Sequence, residues 1–423
     1  MNNSRIYAAR YLLPINTAPI EDAVLQVAHG RIVAVGRRQE LLRQTSGLPC
    51  TDFGDAILLP PLVNAHTHLE LTDFPQWAKD AELPTSRSDF VDWILNLIRI
   101  KRGLAPGQMA ISLRHGLQQL LRCGTGAVAD ILSQPELLPE YAGSPLLGRI
   151  DMELIGRGLV AHQPVMARAA HWLQQERVGQ LAHGLSPHAP YTVSQELLSE
   201  ISDYAQRKAA SMAMHIAESV EEVELLHQGS GPLADRLYTR VGWPPPEPVG
   251  GAIDYLQRSD ALRPSSLLVH GVQLTADEIR RIAVAGASVV LCPRSNRQLS
   301  VGRAPVEALV CQGVNLCLGT DSLASNSSLS LWDEMGAALE LYAPVLSAVD
   351  LLRMATMGGA RALGLSGEMG CLTAGSGAHF QVVRPDKLPA MADLAPFLCQ
   401  GERGREVAHL YLQGVDVLKD ATP

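Results

Sequence analysis

Along most of the chain, short apolar runs alternate with longer stretches in which apolar residues recur every three or four positions. The short runs have the length of buried strands, and the longer stretches have helical periodicity. The apolar runs include Ala56–Leu59, Gly126–Ile131, Ser211–Ile216, Leu267–His270, Ser288–Cys292 and Leu316–Thr320, and helix-length segments include Ala110–Cys123, Gln195–Lys208 and Thr275–Ala285. This alternation predicts an α/β fold, a closed (β/α)8 TIM-type barrel at this length. A doubly wound open sheet is the alternative, but no GxGxxG or GxxxxGK[ST] follows an early strand.

The two ends of the chain show a different pattern. Ala23–Ala28 and Arg31–Val35 are short apolar runs separated by His29-Gly30, a pair that suits a two-residue hairpin turn. Ala378–Val383 and Val407–Leu412 have similar character. We therefore predict one small β-sandwich domain built from both termini. The predicted domains are residues 1–57 and 369–423 for the sandwich and 58–368 for the barrel.

Composition and charge exclude several classes of protein. Hydrophobic residues make up 47% and charged residues 18%, as in ordinary globular proteins. The net charge of −8 argues against a nucleic-acid or membrane-surface partner. No signal pattern or apolar span of about 18 residues occurs, so we expect a cytoplasmic protein. The seven scattered cysteines form no CxxC pair and are expected to be free thiols. A homodimer is the default assembly.

Candidate metal ligands stand where several predicted strands end. Ala56–Leu59 leads through Pro60-Pro61 to His66 and His68, which point the same way if the strand continues. The other strand ends carry His215, His270 and Asp321. A lone histidine is more often a core or loop residue, but the carboxyl ends of all barrel strands meet at one mouth. Such a set suits Zn²⁺ or Fe²⁺ with an open position for water.

The segments around these residues resemble a known family. PPLVNAHTHLEL resembles the first-strand motif of the amidohydrolase superfamily, and HIAES, LLVHGVQLT, LCPRSN and LGTDSLASN are similar to motifs of its nucleoside and purine deaminase branch. GRIVAVG and GCLTAGSGAHFQVV resemble the small β-sandwich of that family. The chain departs from the family at His379-Phe380, where relatives usually carry an acidic and an aliphatic residue.

The resemblance implies a role for each matching residue. It makes His66, His68, His215 and Asp321 the ligands of a single divalent metal, Zn²⁺ or Fe²⁺. It makes Glu218 the proton shuttle, although a solvated acid is the alternative, and His270 the group that polarises the attacking water beside Asp321. Two-metal relatives need a carboxylated lysine, and no lysine stands at a predicted strand end. His68-Leu69-Glu70 matches half of another zinc deaminase signature, but its PCxxC partner is absent.

The residues that would contact the substrate are less sharply marked. SPHAPY around His188 resembles a substrate-facing loop of this branch, and Glu153 follows the apolar Leu147–Met152 region. Arg294 in CPRSN stands at another strand end. For each of these the alternative is a structural position on the barrel rim. We predict that all three face the mouth and contact a small-molecule nucleoside.

The stretch Asp89–Ile94 narrows the range of candidate substrates. With the preceding HLEL, its Phe-x-x-Trp pattern resembles the aminodeoxyfutalosine deaminases of the alternative menaquinone pathway. Related S-adenosylhomocysteine deaminases place an acid after a comparable Trp, whereas this chain has Arg99, Lys101 and Arg102. A basic residue here, Arg102 in our prediction, would suit the benzoate of aminodeoxyfutalosine. The alternative is that this residue lies on a solvated helix face.

Three functions remain in competition. The first is deamination of an adenine nucleoside, with aminodeoxyfutalosine preferred over S-adenosylhomocysteine and 5′-methylthioadenosine. The second is a guanine-, triazine- or other amidohydrolase that uses the same metal. The third is a non-catalytic scaffold with this fold, which the retention of every ligand and of Glu218 disfavours.

Overall fold

The computed structural model describes residues 4–41, 43, 47–82, 89–244 and 247–419. Its strands are β1 (Arg5–Leu12), β2 (Ile20–Ala28), β3 (Arg31–Arg37), β4 (Cys50–Asp52), β5 (Ile57–Leu59), β6 (Leu62–Thr67), β7 (Thr125–Leu132), β8 (Leu147–Leu154), β9 (Gln180–Pro187), β10 (Met212–Ile216), β11 (Ser266–His270), β12 (Ser288–Leu291), β13 (Asn315–Leu318), β14 (Phe380–Val383), β15 (Val407–Leu412) and β16 (Val415–Asp416).

The α-helices are α1 (Arg38–Leu41), α2 (Phe74–Asp80), α3 (Phe90–Gly103), α4 (Gln108–Arg122), α5 (Leu159–Gln174), α6 (Gln195–Arg207), α7 (Val220–Gln228), α8 (Thr239–Val241), α9 (Ala252–Arg258), α10 (Ala276–Ala285), α11 (Pro293–Leu299), α12 (Val306–Cys311), α13 (Leu331–Tyr342), α14 (Ala348–Arg353), α15 (Gly359–Ala362) and α16 (Leu394–Leu398). Most of the α-helices connect the strands β6 to β13 or follow the last of them, whereas α1 packs on β2 and β3 and α16 lies between β14 and β15. Short 3-10 segments cover Leu69–Leu71, Pro135–Tyr141, Met391–Asp393 and Arg403–Glu406, and π-helical turns cover Leu233–Tyr238 and Met354–Gly358.

The strands β6 to β13 form one parallel sheet in chain order. A parallel bridge between Thr67 and Asp321 joins its first and last edges, so the sheet closes into the predicted barrel. The strand β9 is one that the apolar pattern does not predict. Its sequence QLAHGLSP carries polar residues at Gln180, His183 and Ser186, which interrupt the apolar run.

The second sheet is built from both termini, as expected. Its strand order is β16-β15-β14-β5-β1-β2-β3, with β4 also paired to β1. The hairpin between β2 and β3 turns at His29 and Gly30, whose φ angles of 53° and 70° are both left-handed. Two consecutive residues with positive φ match the hairpin turn whose twist suits flanking strands. The mainly aliphatic core of this sheet includes a group of aromatic rings, of which those of Phe380 and Tyr411 are stacked at 4.3 Å between centroids.

One strand assignment from the sequence is wrong. Ala56–Leu59 is predicted to be a barrel strand, but β5 pairs with β1 and β14 in the terminal sheet. The first barrel strand is β6, and Pro60 and Pro61 separate the two. Proline lacks the N–H that a sheet ladder needs, which explains the break. The boundary that we predicted after residue 57 therefore falls within β5.

Candidate active site

Six polar side chains lie close together where barrel strands end. His66, His68, His215, Glu218, His270 and Asp321 come from the ends of β6, β10, β11 and β13 or from the turns that follow. Five of the six residues are buried, and the side chain of His68 is 11% exposed. Polar groups that are shielded from solvent need partners, because leaving a buried polar group unpaired costs free energy.

Four of these side chains offer ligand atoms to one point. One ligand atom each from His66, His68, His215 and Asp321 lies within 4.8 Å of all the others. The Nε2 atom of His215 is 3.2 Å from that of His66 and 3.4 Å from that of His68. Oδ1 of Asp321 is 3.5 Å from Nε2 of His66 and 3.6 Å from Nε2 of His68. A tetrahedral ion with ligands at about 2.1 Å would space them about 3.4 Å apart.

Neighbouring groups orient these ligand atoms. Nδ1 of His215 donates to the carbonyl oxygen of His188 at 2.8 Å, so its Nε2 carries a lone pair. Oδ2 of Asp321 accepts hydrogen bonds from the hydroxyls of Ser295 and Ser325, each at 2.7 Å. Those bonds turn Oδ1 of Asp321 toward the histidines. Outer contacts of this kind fix ligand geometry in metal sites.

The protonation of the cluster suits a divalent cation. Burial lowers the pKa of His66 to about 4 and holds the pKa of His68 well below its usual value. Burial opposes ionisation of Asp321, but the hydrogen bond to His66 and the nearby His270 keep the pKa of Asp321 well below its usual value. Neutral imidazole lone pairs beside a carboxylate attract a cation, so the donor set fits Zn²⁺ or Fe²⁺.

Glu218 and His270 lie together beside the ligand group. Oε1 of Glu218 is 3.5 Å from Nε2 of His270, and burial raises the pKa of Glu218 to about 8. The backbone here is unusual, since φ is 46° at Ala217, 73° at His270 and 57° at Asp321. Residues other than glycine rarely adopt such angles, which cluster at functional sites. A carboxyl group that can hold or release a proton near neutral pH suits proton transfer.

The structure places two of the predicted substrate contacts at the mouth. The ring of His188 lies 4.9 Å from that of His215 between centroids, and its Nδ1 is 2.8 Å from the hydroxyl of Thr192. Glu153 is the penultimate residue of β8, and its half-buried carboxylate lies within electrostatic reach of the Lys101 ammonium group. Their assignment as substrate contacts stays a prediction.

The structure does not bring the two predicted arginines to the ligand group. Arg102 is exposed on α3. The side chain of Arg294 binds Asn326 at 3.0 Å and Ser327 at 2.6 Å, and its Nε is 3.6 Å from Glu334. The alternative of a rim contact therefore describes Arg294 better.

Lys101 is the basic residue of α3 that faces the mouth. Its ammonium group donates to Glu70 and to the hydroxyl of Ser133, each at 3.0 Å. An ammonium group has three donors, so one is left for another acceptor. Helical spacing does not separate Lys101 from Arg102, because they follow the buried Ile94 by seven and eight positions and both spacings lie on one helix face.

Two further residues were missed within a motif that the sequence analysis singled out. In CPRSN, Ser295 binds Asp321 and Asn296 binds Nδ1 of His270 at 2.9 Å. Both are buried, whereas Arg294 of the same motif is not. The sequence marks the charged residue of this segment more strongly than its two small polar residues.

Comparisons with known proteins agree with this geometry. The model of the amidohydrolase family matches residues 57–415. The aminodeoxyfutalosine deaminase of Deinococcus radiodurans is 35% identical over 354 residues, which cover 80% of this chain and 81% of that protein. The 5-methylthioadenosine/S-adenosylhomocysteine deaminase of Halobacterium salinarum is 30% identical over 98% of this chain and 92% of its own length.

A solved structure extends the similarity to the whole fold. The crystal structure of Helicobacter pylori aminofutalosine deaminase in complex with methylthio-coformycin has a TM-score of 0.86 and 25% identity. The match covers 98% of this chain and 100% of that one.

Within the described residues, no helix is both long and apolar enough to cross a membrane.

Proposed function

This chain belongs to the amidohydrolase family, and from that premise we propose that it is a metal-dependent deaminase of adenine nucleosides that acts on aminodeoxyfutalosine. Family membership makes it a hydrolase of carbon–nitrogen bonds. The observation that carries the proposal is the convergence of four ligand atoms with Glu218 and His270 at one barrel mouth. The named deaminase relatives support the nucleoside as substrate.

The residues that would hold the metal are the three histidines and the aspartate already described. His66, His68, His215 and Asp321 would bind one divalent ion, Zn²⁺ or Fe²⁺. The ion would lower the pKa of a bound water to about 7 and so supply a nucleophile at neutral pH. The remaining chemistry belongs to side chains of this protein.

Glu218 would move the protons of the reaction. Its carboxylate would take a proton from the attacking water and give it to a ring nitrogen, which makes the amidine carbon electrophilic. His270 would orient that water through Nε2, the nitrogen that faces Glu218 at 3.5 Å. The water oxygen adds to the carbon that bears the amino group. A second proton then goes to the amino nitrogen, the carbon–nitrogen bond breaks, and ammonia leaves.

Two charged groups at the mouth support the choice of substrate. Glu153 is a half-buried carboxylate that could accept hydrogen bonds from ribose hydroxyls. Lys101 keeps one ammonium donor that Glu70 and Ser133 do not use, and it could bind the benzoate of aminodeoxyfutalosine. The greater identity to the Deinococcus protein supports the same substrate. Deamination of 5′-methylthioadenosine or S-adenosylhomocysteine is the second candidate, favoured by the similarity over 98% of the chain.

A substrate panel tests the proposal. The metal-loaded enzyme is given aminodeoxyfutalosine, S-adenosylhomocysteine, 5′-methylthioadenosine, adenosine and guanine, and ammonia release is measured. We expect the highest kcat/KM with aminodeoxyfutalosine. A higher kcat/KM with a sulfur-containing nucleoside would change the proposed substrate but not the proposed reaction. Failure to turn over any adenine nucleoside, with metal bound, would overturn the proposed function.

A further inference from the structure

Glu222 makes two hydrogen bonds that reach back to the turn before its own helix. Its side chain is fully buried. Oε1 accepts from the backbone N–H of Ala217 at 2.9 Å, and Oε2 accepts from the backbone N–H of Glu218 at 3.0 Å. A carboxylate that binds two adjacent N–H groups fixes the direction of the peptide between them. That peptide leads into Glu218.

The sequence of this segment predicts a different arrangement. Ser219 and Glu222 have the S-x-x-E spacing of a capping box, in which the acid returns to the N–H of the N-cap residue. In α10, Glu278 does so with Thr275 at 2.9 Å. In α7, the hydroxyl of Ser219 does accept from the Glu222 N–H at 3.3 Å, but the carboxylate goes instead to residues 217 and 218.

The turn that Glu222 holds decides where Glu218 lies. In a continued strand, Glu218 would stand on the opposite face from His215, because the two are three positions apart. The left-handed backbone at Ala217, with φ of 46°, ends the strand and redirects the chain. The carbonyl of Ala217 also accepts from the N–H of Gln273 at 2.8 Å, so this residue is held through both its N–H and its C=O.

We infer that Glu222 is a positioning residue for the reaction, which holds the 217–218 turn so that the Glu218 carboxylate stays beside His270. This inference rests on the proposed function, because it gives Glu218 a task whose loss can be measured. Glu222 is separated from the substrate by the turn that it binds. Its effect is therefore on the rate of proton transfer rather than on binding of the nucleoside.

The test compares Glu222→Gln with Glu224→Gln, a half-buried acid of the same helix. Glutamine keeps one oxygen but presents an NH₂ group to the other backbone N–H. We expect kcat of Glu222→Gln to fall about 10- to 100-fold with little change in KM. Metal content should equal that of the wild type. Affinity for an inhibitor that carries a tetrahedral, hydroxyl-bearing carbon at the reacting position should fall in parallel with kcat, because a stable mimic of the addition step is bound as the transition state is. Glu224→Gln should behave as the wild type.

A second variant keeps the inference testable if Glu222→Gln folds poorly. Glu222→Asp retains the charge but shortens the reach, and it should lower kcat in the same direction. Unchanged kcat in a folded Glu222 variant would overturn the inference. A loss of activity that only follows the folded fraction, with inhibitor affinity per folded molecule intact, would also overturn it. An inactive wild type would instead contradict the proposed function, so the two failures are distinguishable.

Discussion

The amide oxygen of Asn296 accepts a hydrogen bond from Nδ1 of His270 at 2.9 Å, and both side chains are buried. Because Nδ1 carries the proton, Nε2 of His270 keeps its lone pair and faces Glu218 at 3.5 Å. The contact therefore selects both the tautomer of His270 and the orientation of its ring. Asn296 lies on α11 and His270 at the end of β11, so residues from two neighbouring β/α units of the barrel form this contact.

Asn296→Ala should lower kcat/KM about 10- to 100-fold, because the ring of His270 loses the partner that fixes its tautomer. The metal content should stay at the wild-type value, since His270 is not among the proposed ligands. Steady-state kinetics and elemental analysis together check this result. Arg297→Gln is the control, because Arg297 is exposed on the same helix and pairs with Glu340. Wild-type kinetics in Asn296→Ala would contradict the role of the pair.

His66→Ala should abolish metal retention and with it almost all activity. Removing one of four ligands leaves an incomplete site, so the folded state no longer gains stability from binding the ion. Adding Zn²⁺ should raise the thermal midpoint of the metal-free wild type but not that of the variant. The exposed His227 provides the control substitution, His227→Gln. Full metal occupancy in His66→Ala would show that the ion binds elsewhere.

Lys101→Met should reduce kcat/KM for aminodeoxyfutalosine by about tenfold or more, because an ion pair with its carboxylate is lost. The effect on 5′-methylthioadenosine, which has no carboxylate, should be several-fold smaller. Arg102→Met is the matched control on the next residue of α3, where the side chain is exposed. Equal losses for the two nucleosides would show that Lys101 supports Glu70 and Ser133 and does not bind the substrate carboxylate.

The buried His379 should make the protein sensitive to acid. Burial lowers the pKa of His379 to about 4, and its Nδ1 accepts from the N–H of Gln413 at 3.3 Å, which a doubly protonated ring could not do. Between its usual pKa and about 4, the unfolded chain binds a proton that the folded chain does not. Stability therefore falls as the pH falls through this window, by about 2 kcal/mol at pH 5.

Comparison of variants isolates this effect from acid-induced release of metal. His379→Gln should lose less stability than the wild type between pH 7.5 and pH 5, as measured by thermal unfolding. His227→Gln changes an exposed histidine and should follow the wild type. A pH dependence in His379→Gln as steep as that of the wild type would disprove the assignment.

Elements that depend on local pattern were predicted well. The β2–β3 hairpin was recognised from two apolar runs around His29-Gly30, and both turn residues have the positive φ that such a turn requires. The helix predicted at Gln195–Lys208 is α6, Gln195–Arg207. By contrast, Ala56–Leu59 was assigned to the wrong sheet. A three-residue apolar strand looks the same in either sheet, and only its pairing with β1 and β14 decides.

The candidate site also contains some residues that the sequence identifies and others that only the fold identifies. The candidate metal ligands could be identified because each stands at the end of a strand, and the ends of barrel strands converge. The sequence does not separate Arg102 from Lys101, because both are cations and neither motif nor composition distinguishes neighbours on a helix. Their difference arises from which face of α3 packs over the mouth, where Lys101 meets Glu70.

By itself the sequence determined the alternation of strands and helices, the terminal sheet, the family and the residue types at the strand ends, because these follow from periodicity and short motifs. Tertiary structure decided the contacts between distant segments. Examples are Asn296 with His270, Ser295 with Asp321, and the return of Glu222 to the turn before Glu218. The physical reason is that a hydrogen bond depends on angstrom-scale distance and direction, which hydrophobic periodicity does not encode.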